Sequence, residues 1–250
     1  MSLIITDQQI KQYHEEGYFI LEKAIPEEHL EILRNECSYF IGYADAQMDS
    51  AKATSLGLNH KGSRYFVQDA VQAKRELETF VFSPLMAQIC KATIGEEAYL
   101  FWNQYVVKGA EVGMKFAWHQ DSGYVGNKHA PYLTCWCPLD DVNEENGTVY
   151  ILPYARAGVR EMVNHVREEG SNDLVGYHGE DPGIPVNVPA GSIAVFSSVT
   201  FHRSGPNTTK KMRRVYLPQY SASPLLKDDG VSLWGSAIPF LKNGEIVVRD

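Results

Sequence analysis

The hydrophobic positions change their period once along the chain. Up to about residue 94 they recur at three- and four-residue steps; from about residue 98 they fall in short bursts rich in β-branched and aromatic side chains. The first period belongs to helices with one buried face, the second to strands. Thr6 with Gln9 three residues later is a capping-box signature, which predicts a helix to about Glu16 that ends at Gly17. Residues 18–21 read as a short strand. Pro26, tolerated at a helix start, and acidic Glu27 and Glu28 open a second helix with a buried stripe of Leu30, Leu33, Cys37, Phe40 and Ile41. Residues 42–62 are small and polar with no visible period, so a loop or mobile cover is expected there. Helical character returns at 72–82 and 84–94.

The second half predicts strands at 99–108, 132–139, 148–152, 185–188, 192–196 and 213–220. Turn clusters separate them, among them Glu145-Asn146-Gly147, Pro189-Ala190-Gly191 and Gly205-Pro206-Asn207. Many short strands at fairly even spacing fit a sandwich or barrel, of which the double-sheet jelly roll is one member. Asn243-Gly244 between two apolar pairs is a two-residue hairpin signal. The expectation is a single domain over 1–250, mainly β with a helical N-terminal part: helix-rich to about 95, a β core over about 96–222, and a C-terminal extension with a hairpin over about 223–250.

Composition narrows the classes. A chain of 250 residues buries a core without disulfides or structural metals. Its net charge of -8 disfavours nucleic acid, which needs concentrated Lys and Arg. The longest apolar runs are far too short to span a bilayer, and no signal peptide is visible at the start, so no membrane partner is expected. Cys135 and Cys137 have no second thiol pair at a useful spacing and, two apart on a strand, share one face as small hydrophobes. A reducing cytoplasm is the expected compartment.

The chemistry centres on His119-Gln120-Asp121. In extended chain, residues i and i+2 project to one side, so an imidazole and a carboxylate aim at one point. A second imidazole, His202, follows the predicted strand region 192–201. Two His and one carboxylate on one face of an octahedral ion are the ligand set of non-haem Fe(II) oxygenases, and they leave positions open for a chelating co-substrate and O2. H-x-D alone arises by chance in many proteins; His202 downstream and a guanidinium at Arg213 raise it. The rigid Arg fork suits the distal carboxylate of 2-oxoglutarate. Of the neighbours Arg213 and Arg214 only one can face a pocket, since adjacent strand residues point apart, and the spacing favours Arg213. Gln104 and Lys108, on the strand before the metal motif, are candidates to point inward.

These motifs resemble the phytanoyl-CoA dioxygenase family, a branch of the 2-oxoglutarate oxygenases that includes ectoine hydroxylase. The likeness is carried by Tyr13 to Leu21, by Trp118-His119-Gln120-Asp121, by the block from Leu139-Asp140-Asp141 through Glu145-Asn146-Gly147 to Ile151-Leu152-Pro153, and by His202 to Asn207 followed by Arg213. It implies a double-stranded β-helix, the jelly-roll or cupin-like fold, with Fe(II), 2-oxoglutarate and O2 as cofactor and co-substrates. It also implies that Thr134 helps hold the co-substrate and that Ser204 lies near its far carboxylate.

The expected activity is hydroxylation of an unactivated C–H bond of a small-molecule metabolite, with release of succinate and CO2. Desaturation or cyclisation with the same cofactors is the alternative, and a non-catalytic metal-binding β-domain the third reading. Related halogenases replace the carboxylate ligand with a small residue; Asp121 argues against that outcome. Lys52, Lys61, Arg64, Lys74 and Arg75 do not form a clear patch for a CoA thioester. Trp118 and Trp136 are expected in the core; His129, Arg64 and Tyr65 are weaker candidates for substrate contact.

Overall fold

In a computed structural model, residues 5–111, 115–168 and 173–248 are described. The first helix, α1 (Asp7–Glu16), begins as the capping box requires: Thr6 accepts from the Gln9 amide, and the Gln9 side chain accepts from the Thr6 amide. Gly17 ends it in the left-handed region at φ 85°, where a Cβ would collide with Thr200 and Tyr154. The chain continues through β1 (Tyr18–Leu21), α2 (Glu27–Ser50), β2 (Arg64–Gln68), α3 (Pro84–Thr93), β3 (Ala98–Lys108), β4 (Phe116–His119), β5 (Leu133–Pro138), β6 (Val149–Leu152), β7 (Ile184–Pro185), β8 (Ile193–Ser197), β9 (Phe201–Ser204), β10 (Arg213–Ser221) and β11 (Ile238–Lys242), with shorter pieces between.

These strands form two antiparallel sheets, and a separate short pair joins Val166–Arg167 to Leu174–Val175. The major sheet runs β1-β8-β5-β10-β3-β2, extends over the short hairpin Ser55–Leu56 and Asn59–His60, and takes β11 against the start of β3. The minor sheet runs β7-β6-β9-β4. This is the double-sheet jelly roll, a double-stranded β-helix. Helices cover one face of the major sheet: Leu33, Cys37, Phe40 and Met48 of α2 join Tyr105, Cys135, Cys137 and Tyr216 in the largest core cluster. A second cluster between the sheets holds Trp136, Ile151, Val186, Phe196 and Val215. All four cysteines are free and buried, so the C-x-C pair packs as apolar filling.

Three local expectations are corrected. Residues 42–50 are helical rather than loop, because α2 continues the buried stripe through Ala44 and Met48, and Gly42 sits where nothing approaches its Cα within 4 Å of a would-be Cβ. The apolar run before His202 is not one strand. β8 ends at Ser197, the chain turns, and β9 starts in the other sheet at Phe201. The predicted 72–82 helix is instead Ala70–Ala73, a 3-10 turn at Arg75–Leu77 and Glu78–Val81. The Asn243-Gly244 turn forms with both residues at positive φ, 50° and 76°.

Candidate metal centre and co-substrate pocket

His119 closes β4 and His202 lies on β9; the two are direct cross-strand partners in the minor sheet. Their ring centroids are 4.2 Å apart. Each Nδ1 lies on the carbonyl oxygen two residues back, Ala117 at 2.7 Å and Thr200 at 3.1 Å. A carbonyl only accepts, so each Nδ1 carries a proton, and His119, held neutral, presents the lone pair of its Nε2. Asp121 follows β4 on a helical turn rather than in the strand. Buried Gln120 fixes that turn, donating to Val199 and Glu161 carbonyls and accepting from the Val163 amide. His165, which sequence reasoning missed, accepts from the Gln120 main-chain N–H at 3.0 Å.

Asp121 Oδ1 stands 3.4 Å from His202 Nε2 and 3.9 Å from His119 Nε2. One ligand atom from each residue lies within 4.8 Å of the others. Ligands at bond lengths near 2.1 Å on one octahedral face lie roughly 3 Å apart, so these residues fit a first-row divalent cation after small adjustments. Asp121 Oδ2 is held away from that point: Thr134 Oγ1 donates to it at 2.6 Å and Gln219 Nε2 at 2.9 Å. Burial pushes the Asp121 carboxyl up, but His202 and His119, with hydrogen bonds from His202 and Thr134, outweigh it and hold it at about 2. Burial foremost, then His202, depresses His119 to about 3. Burial lowers the His202 pKa but Asp121 outweighs burial and raises it, so the site offers a carboxylate, a neutral His119 and a His202 whose Nε2 proton a bound cation would displace.

Arg213 faces inward and Arg214 outward, where Arg214 makes a forked pair with Asp140 at 2.7 and 3.1 Å. Arg213 is 2% exposed, and its guanidinium reaches only the carbonyls of Val106 and Gly147, at 3.4 and 3.2 Å. Its buried Nε has no hydrogen-bond partner among the described residues. Burial lowers its pKa only to about 10, so it stays charged. Lys108 is its cross-strand neighbour, equally buried, and donates to Ser204 Oγ at 2.7 Å and to the Gly205 carbonyl. Among the described residues neither cation has an ion-pair partner. A buried guanidinium with an orphaned donor beside a buried lysine calls for an anion, and a dicarboxylate would supply one.

His119, Asp121, His202, Arg213, Ser204 and Gln104 all line one cavity of ≈ 400 Å³. Gln104 is half-buried there and its side chain makes no hydrogen bond within the described residues. Thr134, assigned by resemblance to the co-substrate, places its hydroxyl on Asp121. Gln219 was missed, although it lies on the same strand and face as Arg213, six residues on. Trp136 lies below the Arg213 guanidinium, 5.8 Å away, and lines the cavity as well as the core. Trp118 instead packs outside, against Tyr177 and Arg203. His129 bonds Ser122 and Asn127, and Tyr65 bonds Asp45; of the weaker candidates Arg64 alone lines the cavity.

Fold and site together define an iron(II)- and 2-oxoglutarate-dependent oxygenase. Within that class the chain belongs to the phytanoyl-CoA dioxygenase family, which matches residues 13–215. It is 22% identical to phytanoyl-CoA dioxygenase domain-containing protein 1 of Danio rerio, over 85% of this chain and 89% of that one. It is 25% identical to a methylphosphonate hydroxylase of Gimesia maris (89% and 83% covered) and 24% identical to an ectoine dioxygenase of Bordetella bronchiseptica (81% and 71%). Among solved structures the 2-oxoglutarate-dependent carbocyclase SnoK from nogalamycin biosynthesis superposes with a TM-score of 0.70 at 19% identity, covering 91% of this chain and 88% of that one. EvdO2 from Micromonospora carbonacea, complexed with 2-oxoglutarate, superposes with 0.66 at 20% identity, covering 90% and 94%.

Proposed function

We propose that this protein hydroxylates an unactivated C–H bond of a small-molecule metabolite, converting 2-oxoglutarate and O2 to succinate and CO2 as one oxygen enters the substrate. The reading is carried by one observation: the His119-Asp121-His202 cluster, Ser204 and the buried Arg213 guanidinium, which has no ion-pair partner among the described residues, line the same cavity. We assign His119, Asp121 and His202 as metal ligands, Arg213 and Ser204 as the anchor of the far carboxylate, and Gln104 as a further co-substrate contact. Iron(II) with the bound keto acid supplies the oxidising chemistry when present. The chain itself orients. Thr134 and Gln219 fix the Asp121 carboxylate, the Ala117 and Thr200 carbonyls fix the imidazoles, and Lys108 holds the Ser204 hydroxyl toward the anchor.

A free metabolite fits better than a CoA thioester. Lys61, Lys74 and Arg75 are each paired, with Asp49, Glu36 and Glu78, so they do not form a phosphate patch. Among the described residues no helix is long and apolar enough to cross a membrane. The test is a succinate-release screen over candidate metabolites, with wild type and Asp121→Ala in parallel and product mass read for the gain of one oxygen. Substrate-stimulated succinate release lost in Asp121→Ala is expected. Equal turnover by both proteins overturns the assignment, and turnover without oxygen gain moves it to desaturation or ring closure.

A further inference from the structure

A third of the residues lining the cavity are Phe, Tyr or Trp, and the way that wall is built bears on what enters. In the pairing of β3 with β10, Tyr220 faces Leu100 and Gln219 faces Trp102, so Phe101 is one residue too many. Such a bulge re-aims side chains beside a site. Its effect is visible on both faces: Ala98 and Leu100 before it, and Tyr105 and Val107 after it, all pack under the helices, a switch of parity that needs an extra residue. Phe101 and Trp102 both come to line the cavity.

Trp234 completes the wall from a segment beyond the family-matched span of 13–215. Its ring lies 6.0 Å from Phe101 and 6.0 Å from Trp102, and Tyr132 stacks edge-on to Phe101 at 4.9 Å. The segment is tied down beside the bulge. Ser236 donates its amide to the Phe101 carbonyl at 2.9 Å and its hydroxyl to the Leu100 and Phe101 carbonyls at 3.0 Å. Gly235, at φ +82°, permits the approach, since a Cβ there would meet the Phe101 carbonyl at 2.9 Å and the Trp102 ring at 3.0 Å.

This wall starts at the metal cluster. Trp102 is the cross-strand partner of Gln219, whose amide holds Asp121, and the Tyr124 ring lies 5.4 Å from His119. The charged groups of the opposite wall are engaged by the protein itself. Arg64 donates to the Leu58 carbonyl at 2.8 Å over the Phe66 ring, and Asp173 accepts from the Ala117 amide at 3.4 Å.

We propose that the aromatic wall receives an uncharged ring system, flat or polycyclic, and that Trp234 is a specificity-determining residue for it. This rests on the oxygenase reading above and names its substrate class. The test uses holoenzyme loaded anaerobically with iron(II) and 2-oxoglutarate, titrated calorimetrically with 2-naphthol and with its charged analogue 2-naphthalenesulfonate. One saturable naphthol site is expected, with the sulfonate at least about tenfold weaker. Trp234→Ala should weaken naphthol about tenfold and Trp234→Phe by no more than about threefold. If Trp234→Ala does not fold, Trp234→Leu removes the ring while keeping an apolar side chain. Absence of saturable naphthol binding, equal binding by the ring-deleted variant, or a preference for the sulfonate overturns the proposal. The visible charge-transfer band formed when 2-oxoglutarate joins the iron separates the two readings: no band sinks the oxygenase site itself, whereas a band without naphthol binding sinks only the substrate class.

Discussion

Asp121 divides its oxygens between two tasks, Oδ1 toward the imidazoles and Oδ2 toward Thr134 and Gln219. A carboxylate free to rotate would offer either oxygen and lose ordering entropy on ligation; this one is already ordered. Thr134→Val keeps the shape and deletes the donor, so iron affinity should drop by about 10- to 100-fold in a chelator-competition titration. An unchanged affinity would show that the Thr134 hydroxyl does not support the ligand. Lys108 carries a second residue-scale consequence. Burial first, and Arg213 second, bring its pKa from 10.5 to about 6. An unfolded lysine keeps its proton to the higher value, so between about 6 and 10.5 the unfolded state binds more protons and stability rises with pH. A bound dianion reverses the preference and favours the ammonium. Co-substrate binding at pH 7.5 should therefore take up close to one proton, and affinity should fall as pH rises from about 6. Calorimetry in two buffers of different ionisation heat measures it; the same uptake in Lys108→Met would rule Lys108 out as the source.

At the scale of elements, α2 is where pattern reading stopped early. Gly42 and the polar residues after it masked a stripe that continues by fours to Ala44 and Met48. Since Gly42 is mid-helix with open space around it, Gly42→Ala should stabilise the fold by about 0.5–1 kcal/mol in urea denaturation, through the unfolded chain's lost freedom. A destabilised variant would mean that the helix needs the glycine. Strand parity was more legible. It lets only one of Arg213 and Arg214 face a pocket, the spacing from His202 favours Arg213, and the same parity, carried six residues further, points to Gln219. Two features left no local mark. Residues 196–202 read as one β-branched run, and only the long-range pairing of Phe201 with Leu152 moves His202 into the other sheet. The extra residue Phe101 carries no Gly or Pro to announce a bulge; the register with β10 alone reveals it. Local propensity specifies elements, whereas crossings and bulges are set by partners far along the chain.

On the scale of the molecule, the site bridges the two sheets. His119 and His202 belong to the minor sheet, while Asp121 is held by Thr134 and Gln219 of the major sheet. Under the proposed assignment a cation gripped by all three residues would tie the sheets together at the cavity, and a keto acid running from it to Arg213 on β10 would add a second tie. Ligands that bind only the folded state stabilise it by mass action, about 2.7 kcal/mol at a hundredfold excess over Kd. For a chain of this length that corresponds to a rise in Tm of about 5–10 °C. Manganese(II), an oxygen-stable stand-in for iron, should raise Tm alone, and 2-oxoglutarate should raise it further only when the metal is present. In Arg213→Ala the metal increment should persist and the keto-acid increment should vanish; in Asp121→Ala both should vanish. A keto-acid increment that survived Arg213→Ala would detach the co-substrate from β10, and the second tie between the sheets with it.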